Sequence, residues 1–299
     1  MTIVTKGGSL SARDARMGYV MIAPMIIGIL FFTIIPVLFS LYISFTDWDM
    51  LSDWTFNGFK NYETMFSGKM LKVIWSNTLQ YIAYTLPGSL VCGLLLALAL
   101  NRSVKGIGWF RTAFFLPNIT TTVAVCAVWA WLYDKNYGLF NVLLENFGLE
   151  SVSWLNSTKN AMRSISIMSI WQTMGYDMLI FLAGLKSIDV TYYEAARMDG
   201  ANSFQQFWNV TLPMLTPTVF YLIVMHLIGF FQVFDAPYVM TDGGPGHATT
   251  TIVMHIYETA FTYYRMGEAS AYAWVLFVVI MLVTAIQFSV QKKWVSYDA

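Results

Sequence analysis

The sequence predicts an all-α membrane protein with six transmembrane helices, and three observations carry that prediction. Of 299 residues, 57% are hydrophobic and only 11% charged, less than half of the roughly 25% charge of a soluble domain. Six stretches are apolar over the ~20 residues that a helix needs to cross a hydrocarbon core. They are too long and too evenly apolar for barrel strands, which alternate every second residue. In water such a chain would expose large apolar patches and aggregate. Lipid as the solvent removes that conflict, and a spanning helix satisfies its own backbone hydrogen bonds.

Residues 1–16 read as an N-terminal tail. The first span, about 18–45, runs from Gly18 to Phe45 without a charged residue. It far exceeds the roughly 7–15 apolar residues of a secretory signal, and no small-x-small cleavage site closes it, so it reads as a retained anchor. The second span covers about 73–100 and the third about 112–133. The fourth, about 164–185, is interrupted by one acid, Asp177. The fifth covers about 212–234 with Asp235 at its far end, and the sixth about 269–291, before a tail at 292–299. One transmembrane domain thus occupies 17–291. Cys92 falls in the second span and Cys126 in the third. Both read as small buried hydrophobes rather than as a disulfide or redox pair. No cysteine–histidine cluster suggests a metal.

Orientation follows from loop cations. With both ends cytoplasmic, the inner segments hold Lys6, Arg13, Arg16, Arg102, Lys105, Arg111, Lys186, Arg197, Lys292 and Lys293. The outer segments hold Lys60, Lys69, Lys72, Lys135, Lys159, Arg163 and Arg265. Ten cations against seven, with the inner loop Arg102–Arg111 short, favours cytoplasmic termini and a multi-pass protein of a cell membrane. The formal net charge of zero speaks against a nucleic-acid partner, which demands clustered Lys and Arg. Trp48, Trp54, Tyr62, Trp129, Trp131 and Trp154 in and beside the outer loops suit an interfacial aromatic belt.

The inner loop between the fourth and fifth spans is the most informative segment. Thr191 is a candidate N-cap, with Glu194 three residues later completing a capping box. The helix so started runs through Glu194-Ala195-Ala196-Arg197-Met198 and stops near Gly200, a residue free to adopt φ > 0. A short amphipathic helix on the cytoplasmic face, with Phe204, Phe207 and Trp208 behind it, suits docking into a groove on another protein.

Glu194-Ala195-Ala196, three residues, Gly200, nine residues, then Val210-Thr211-Leu212-Pro213 resembles the EAA signature of ABC-importer permeases, EAA-x3-G-x9-I-x-LP. The one departure is Val210 in place of Ile. Phe110-Arg111-Thr112-Ala113-Phe114-Phe115-Leu116-Pro117 resembles the start of the third span in carbohydrate (maltose-type) permeases. Phe181–Leu185, Phe231–Gly246 and Tyr257–Tyr272 fit the same subfamily, so the resemblance extends from Gly18 to Gln291.

The resemblance implies a type I importer permease (MetI-like) fold with a cytoplasmic coupling helix, and a set of partners. These are a second, homologous permease subunit, two ATP-binding cassette subunits and an extracellular or periplasmic solute-binding protein, in a prokaryotic inner membrane. The chain itself then carries no catalysis and no cofactor, and ATP and Mg act on the partner ATPase. Glu194 makes polar contacts with that ATPase, Ala195 and Ala196 allow close approach, Gly200 makes the turn, and Asp199, Leu212 and Pro213 complete the coupling segment.

A buried acid in a span costs on the order of +2.5–3.5 kcal/mol at a helix centre, which makes Asp177 a substrate-site candidate. It lies in Met174-Gly175-Tyr176-Asp177-Met178, where Gly175 lets a ligand or a neighbouring backbone come close. In the fifth span His226, Phe230 and Val233 share one helical face, with Gln232 and Asp235 toward the outer end. Polar groups for hydroxyls and aromatic faces for C–H surfaces are what a sugar requires. The turn-rich Gly243-Gly244-Pro245 segment is a candidate contact for the binding protein. Other cargoes in the same class are glycerol phosphate or another small polar solute. A secondary transporter also fits six spans and an intramembrane acid, but a second mid-membrane acid is missing. No GxSxG, HExxH or nucleotide-binding Gly-rich loop points to an enzyme.

Overall fold

The computed structural model describes residues 12–102 and 105–295. Most of the 1–16 tail, including Lys6, and the last residues of the 292–299 tail lie outside the described residues. The helices in chain order are α1 (Ala12–Ile29), α2 (Ile35–Ile43), α3 (Lys60–Ser67), α4 (Lys69–Leu100), α5 (Ile107–Ile119), α6 (Thr122–Leu132) and α7 (Leu139–Asn146). There follow α8 (Ala161–Ser187), α9 (Val190–Met198), α10 (Ser203–Gln206), α11 (Leu212–Met214), α12 (Thr216–Phe231), α13 (Asp235–Thr241), α14 (Ile252–Tyr257) and α15 (Met266–Gln291). A small antiparallel hairpin, β1 (Thr46–Asp47) and β2 (Thr55–Phe56), pairs Thr46 with Phe56 and Asp47 with Thr55.

Four continuous stretches are long and apolar enough to cross a membrane: Arg16–Ile43, α4, α8 and α15. Two bent pairs, α5 with α6 and Ser203–Met214 with α12, bring the number to six when each pair counts as one span. The expected single helix over 112–133 is therefore corrected to two segments that meet at 98°. Pro117 lacks the N–H that the helical ladder demands. Thr120 and Thr121 then turn extended, with ψ of 143° and 132°. The Thr120 hydroxyl donates to the Leu116 carbonyl at 3.0 Å, the kind of side-chain bond that competes with helix continuation. The fifth span likewise starts its main helix at Thr216 rather than 212, after a bend of 57°. Pro217 has no N–H to give to the Pro213 carbonyl, and the Thr216 hydroxyl donates to that carbonyl instead, at 2.6 Å.

The bundle is organised around α8, whose contact faces are cut by small residues. Gly88 and Gly93 of α4 lie against Ile170 and Asp177, Gly175 lies against the Phe114 backbone of α5, and Gly184 lies against Thr218 of α12. Small residues at crossings let helices in lipid approach to backbone distance. One apolar cluster, around Ile74, Tyr81, Trp129, Met162, Ile165 and Phe230, fills the end of the bundle where α4 begins. A second, around Ala97, Met178, Phe181, Leu182, Leu185 and Leu222, fills the end from which α9 emerges. The Arg16–Ile43 stretch stays exposed through its apolar window, as expected where lipid or another membrane chain replaces water. Trp274 of α15 ties its far end by donating to the Ser40 hydroxyl at 3.2 Å.

Candidate functional site

The segment joining α8 to α12 is built to present a short helix. Asp189, not Thr191, is the N-cap of α9: the Thr191 N–H donates to its carboxylate at 2.9 Å. The expected capping box at Thr191 and Glu194 is thereby corrected. Asp189 lies two residues nearer the start, where its side chain reaches the orphan N–H. A reciprocal box does form one helix later, where the Asn202 and Gln205 side chains each accept the other's backbone N–H at 2.9 Å. The Thr191 N–H holds the Asp189 carboxyl below its ordinary value.

At its other end α9 closes in a Schellman turn, with Ala201 N–H donating to the Ala196 carbonyl at 2.9 Å and Gly200 N–H to Arg197 at 3.0 Å. Gly200 adopts φ +80°, the left-handed conformation that its position expected. No residue of α9 is buried. Glu194, Ala195 and Asp199 are exposed and Ala196 half-buried, while Met198 is 88% exposed. The Tyr193 hydroxyl bonds the Thr211 hydroxyl at 3.0 Å, anchoring this exposed helix to the π-helical turn Phe207–Thr211 that leads into Leu212 and Pro213.

A cavity of about 290 Å³ opens above the middle of the bundle, between α8 and the end of α12. From the fifth span Phe230, Gln232, Val233 and Asp235 line it. Sequence reasoning missed Ser169, Gln172 and Thr173 of α8, Thr122 of α6 and Tyr81 of α4, which complete the wall. A signal existed: Ser169, Gln172 and Thr173 are polar at i, i+3 and i+4, one helical face of an apolar span. Gln172 donates to the Thr122 hydroxyl at 3.3 Å, so the break between α5 and α6 delivers a polar group to the cavity.

The other candidates take different places. Asp177 and His226 do not line the cavity; they bond each other at 2.6 Å one helical turn below it, at 0% and 8% exposure. His226 stacks flat on Phe230, with centroids 4.9 Å apart and planes 7° from parallel. Tyr176 bonds the Tyr221 hydroxyl at 3.2 Å and meets His226 edge-on. Met178 is fully buried in the second apolar cluster, Met174 is half-buried, and Gly175 is filled by the Phe114 and Phe115 backbone.

The Gly243-Gly244-Pro245 turn is a tightly held loop. Thr249 donates to the Gly244 carbonyl at 3.0 Å and Thr250 to that of Gly243 at 3.2 Å. Asn77 of α4 donates to the carbonyls of His247 and Thr250 at 2.7 and 3.0 Å. Gly244 and Pro245 face a groove of about 350 Å³ shared with Leu155, Asn156 and Asp242. Among the described residues no group of three or more His, Cys, Asp or Glu side chains gathers to hold a metal.

Comparison with known proteins agrees with this arrangement. Residues 89–295 match the family model described as binding-protein-dependent transport system inner membrane component. The chain is 39% identical over 296 residues to the probable ABC transporter permease protein YesP of Bacillus subtilis (strain 168), covering 96% of this chain and 94% of that one. It is 34% identical over 290 residues to the trehalose/maltose transport system permease protein MalF of Thermococcus litoralis, covering 95% and 96%. A solved chain of a bacterial ABC transporter involved in import of the acidic polysaccharide alginate superposes with a TM-score of 0.82 at 26% identity, over 94% of this chain and 96% of that one. The largely helical bundle superposes on a chain of an ABC transporter, and the chain belongs to the family of inner membrane components of binding-protein-dependent transport systems.

Proposed function

We propose that this chain is the carbohydrate-conducting permease subunit of an ATP-driven importer, forming half of its pathway with a second permease. The observation that carries the reading is the cavity lined by Gln172, Thr173, Gln232 and Asp235 beside Phe230 and Phe234. Hydroxyl partners and aromatic rings in one pocket match a sugar's polar rim and apolar face. The same two helices that build this cavity, α8 and α12, flank α9. A rigid-body tilt driven at α9 therefore reaches the cavity directly. ATP and Mg act on two cassette subunits, one of which receives the Glu194–Gly200 segment while the other receives the loop of the second permease; the termini are cytoplasmic, and the chain performs no chemistry. A binding protein that delivers the sugar docks over the Gly243–Pro245 face. The carbohydrate names of relatives such as the trehalose/maltose permease support this cargo.

The test is uptake by vesicles that hold the assembled transporter, with a panel of labelled sugars that includes maltose and trehalose, and glycerol phosphate as a competing class. Gln172→Ala and Asp235→Asn are expected to raise KM by about tenfold, the loss of one or two sugar hydrogen bonds, with ATP hydrolysis retained. Uptake that persists without ATP identifies a secondary transporter and refutes the proposal.

A further inference from the structure

The pair beneath the cavity does different work from its wall. We propose that Asp177 and His226 are positioning residues: the carboxylate fixes the imidazole, and the imidazole plane fixes the Phe230 ring in the cavity wall. This rests on the reading that the cavity receives a sugar, and it assigns the pair no contact with that sugar.

The geometry is a short relay. Asp177 Oδ1 lies 2.6 Å from His226 Nε2. With the carboxylate ionised, the proton resides on Nε2 and donates to it, which sets both tautomer and ring plane. His226 then lies parallel to Phe230 at 4.9 Å, within the range where aromatic pairs hold each other's orientation. Tyr81, also a cavity residue, meets Phe230 edge-on at 5.7 Å. Phe230 is thus clamped on two sides, and the His226 clamp is itself held by a buried polar bond. Asp177 is placed for this by packing, since its Cβ and backbone lie where a side chain at Gly93 of α4 would stand. Its second oxygen, Oδ2, has no hydrogen-bond partner among the described residues, so breaking the one bond it does make by removing His226 alone leaves a buried polar group uncompensated. Fixed ring planes matter to a sugar site because stacking on C–H faces falls away as the ring tilts. A positioned wall also spares the ordering cost on binding.

Apolar replacements separate this role from direct contact. In a Cys92→Ala/Cys126→Ala background, Gln172→Cys places a thiol in the cavity wall, and its N-ethylmaleimide labelling rate in membranes of the assembled transporter reports the wall's shape. The paired variants Asp177→Leu/His226→Phe and Asp177→Leu/His226→Leu both remove the buried bond, but only the first keeps a ring against Phe230. The Phe pair is expected to label within about twofold of the parent, and the Leu pair and Asp177→Leu alone to differ from it by about fivefold or more. Equal rates in the two pairs, or a parental rate in Asp177→Leu, overturn the proposal. Maltose and trehalose uptake, measured with Gln172 intact, adds the second arm: the Leu pair raises KM about tenfold, and the Phe pair rescues it. If Phe230→Ala leaves KM unchanged, the sugar site lies elsewhere and that reading fails, while the labelling rates still decide whether the pair holds the ring.

Discussion

Replacing Gly175 by Ala discriminates between a helix-crossing role and a ligand-contact role for the middle of α8. A Cβ at this position presses into the Phe114 carbonyl oxygen and lies 2.6 Å from its carbon and 2.9 Å from the Phe115 Cα. These are backbone atoms, so no rotamer change relieves the contact. Carbon–carbon contact is comfortable at about 3.5–4.0 Å, so α5 and α8 must part by on the order of 1 Å. Overpacking of a fitted core costs about 1–3 kcal/mol, and the upper end applies where two backbones oppose. At about 3 kcal/mol the melting temperature falls by roughly 6–12 °C. Gly108 of α5 is the matched control, because among the described residues nothing lies within 4 Å of a Cβ placed there. Gly108→Ala in a helix is expected to stabilise by about 0.5–1 kcal/mol. The assay is thermal melting followed by size-exclusion of the solubilised protein. A Gly175→Ala protein that melts with its parent, yet loses sugar affinity, refutes the helix-crossing account and returns Gly175 to the ligand.

Other perturbations test separate parts of the structure. Asn77→Leu leaves the His247 and Thr250 carbonyls without their shared donor; a loss of about 2 kcal/mol is expected by the same melting assay, with the loop at Gly243–Pro245 becoming protease-sensitive. Asp189→Ala is expected to weaken sugar-stimulated ATP hydrolysis severalfold, and Asp189→Asn to preserve it, because Asn also caps helices. The Asp189 carboxyl is held below its ordinary value in the folded chain. Its cap therefore contributes fully above the unfolded value and is lost as pH falls through the lowered folded value. A pH series of ATP hydrolysis is expected to show an acid-side decline that Asp189→Asn lacks.

Much of this architecture was legible in the chain. The six apolar runs correspond to four continuous spans and two bent pairs, because lipid demands length and low polarity of every crossing. Gly200 was readable as a left-handed stop because a glycine just past a run of helix formers is free to adopt φ > 0, and the chain there leaves one helix and starts the next after four residues. The 98° break was not, although Pro117 and the Asn118–Thr122 run marked the spot. Proline inside a span is compatible with a mild kink as well as a full corner, and only packing against α8 selects the corner. The cap of α9 went to Asp189 over Thr191 because two side chains of similar capping strength competed for one turn. The cavity is half visible in the sequence: the fifth-span face is legible, while the polar i, i+3, i+4 face of Ser169, Gln172 and Thr173 gains meaning only once α8 is set against the end of α12. Asp177 and His226 were each conspicuous as polar residues in a span, and their pairing depended on an α8–α12 register that one-dimensional periodicity does not contain.

The central claim is that α9 transmits ATP hydrolysis on another chain to the cavity between α8 and α12. The most direct measurement is sugar-stimulated ATP hydrolysis and uptake by the complete transporter in vesicles, for the parent and for Glu194→Ala/Gly200→Pro. Proline's φ of about −65° is incompatible with the +80° at Gly200, so this variant dismantles the turn while the spans stay in the membrane. Loss of both activities, with the chain still inserted and Asp177→Leu/His226→Phe still hydrolysing ATP, is the predicted result. Full hydrolysis and uptake by Glu194→Ala/Gly200→Pro contradicts the account.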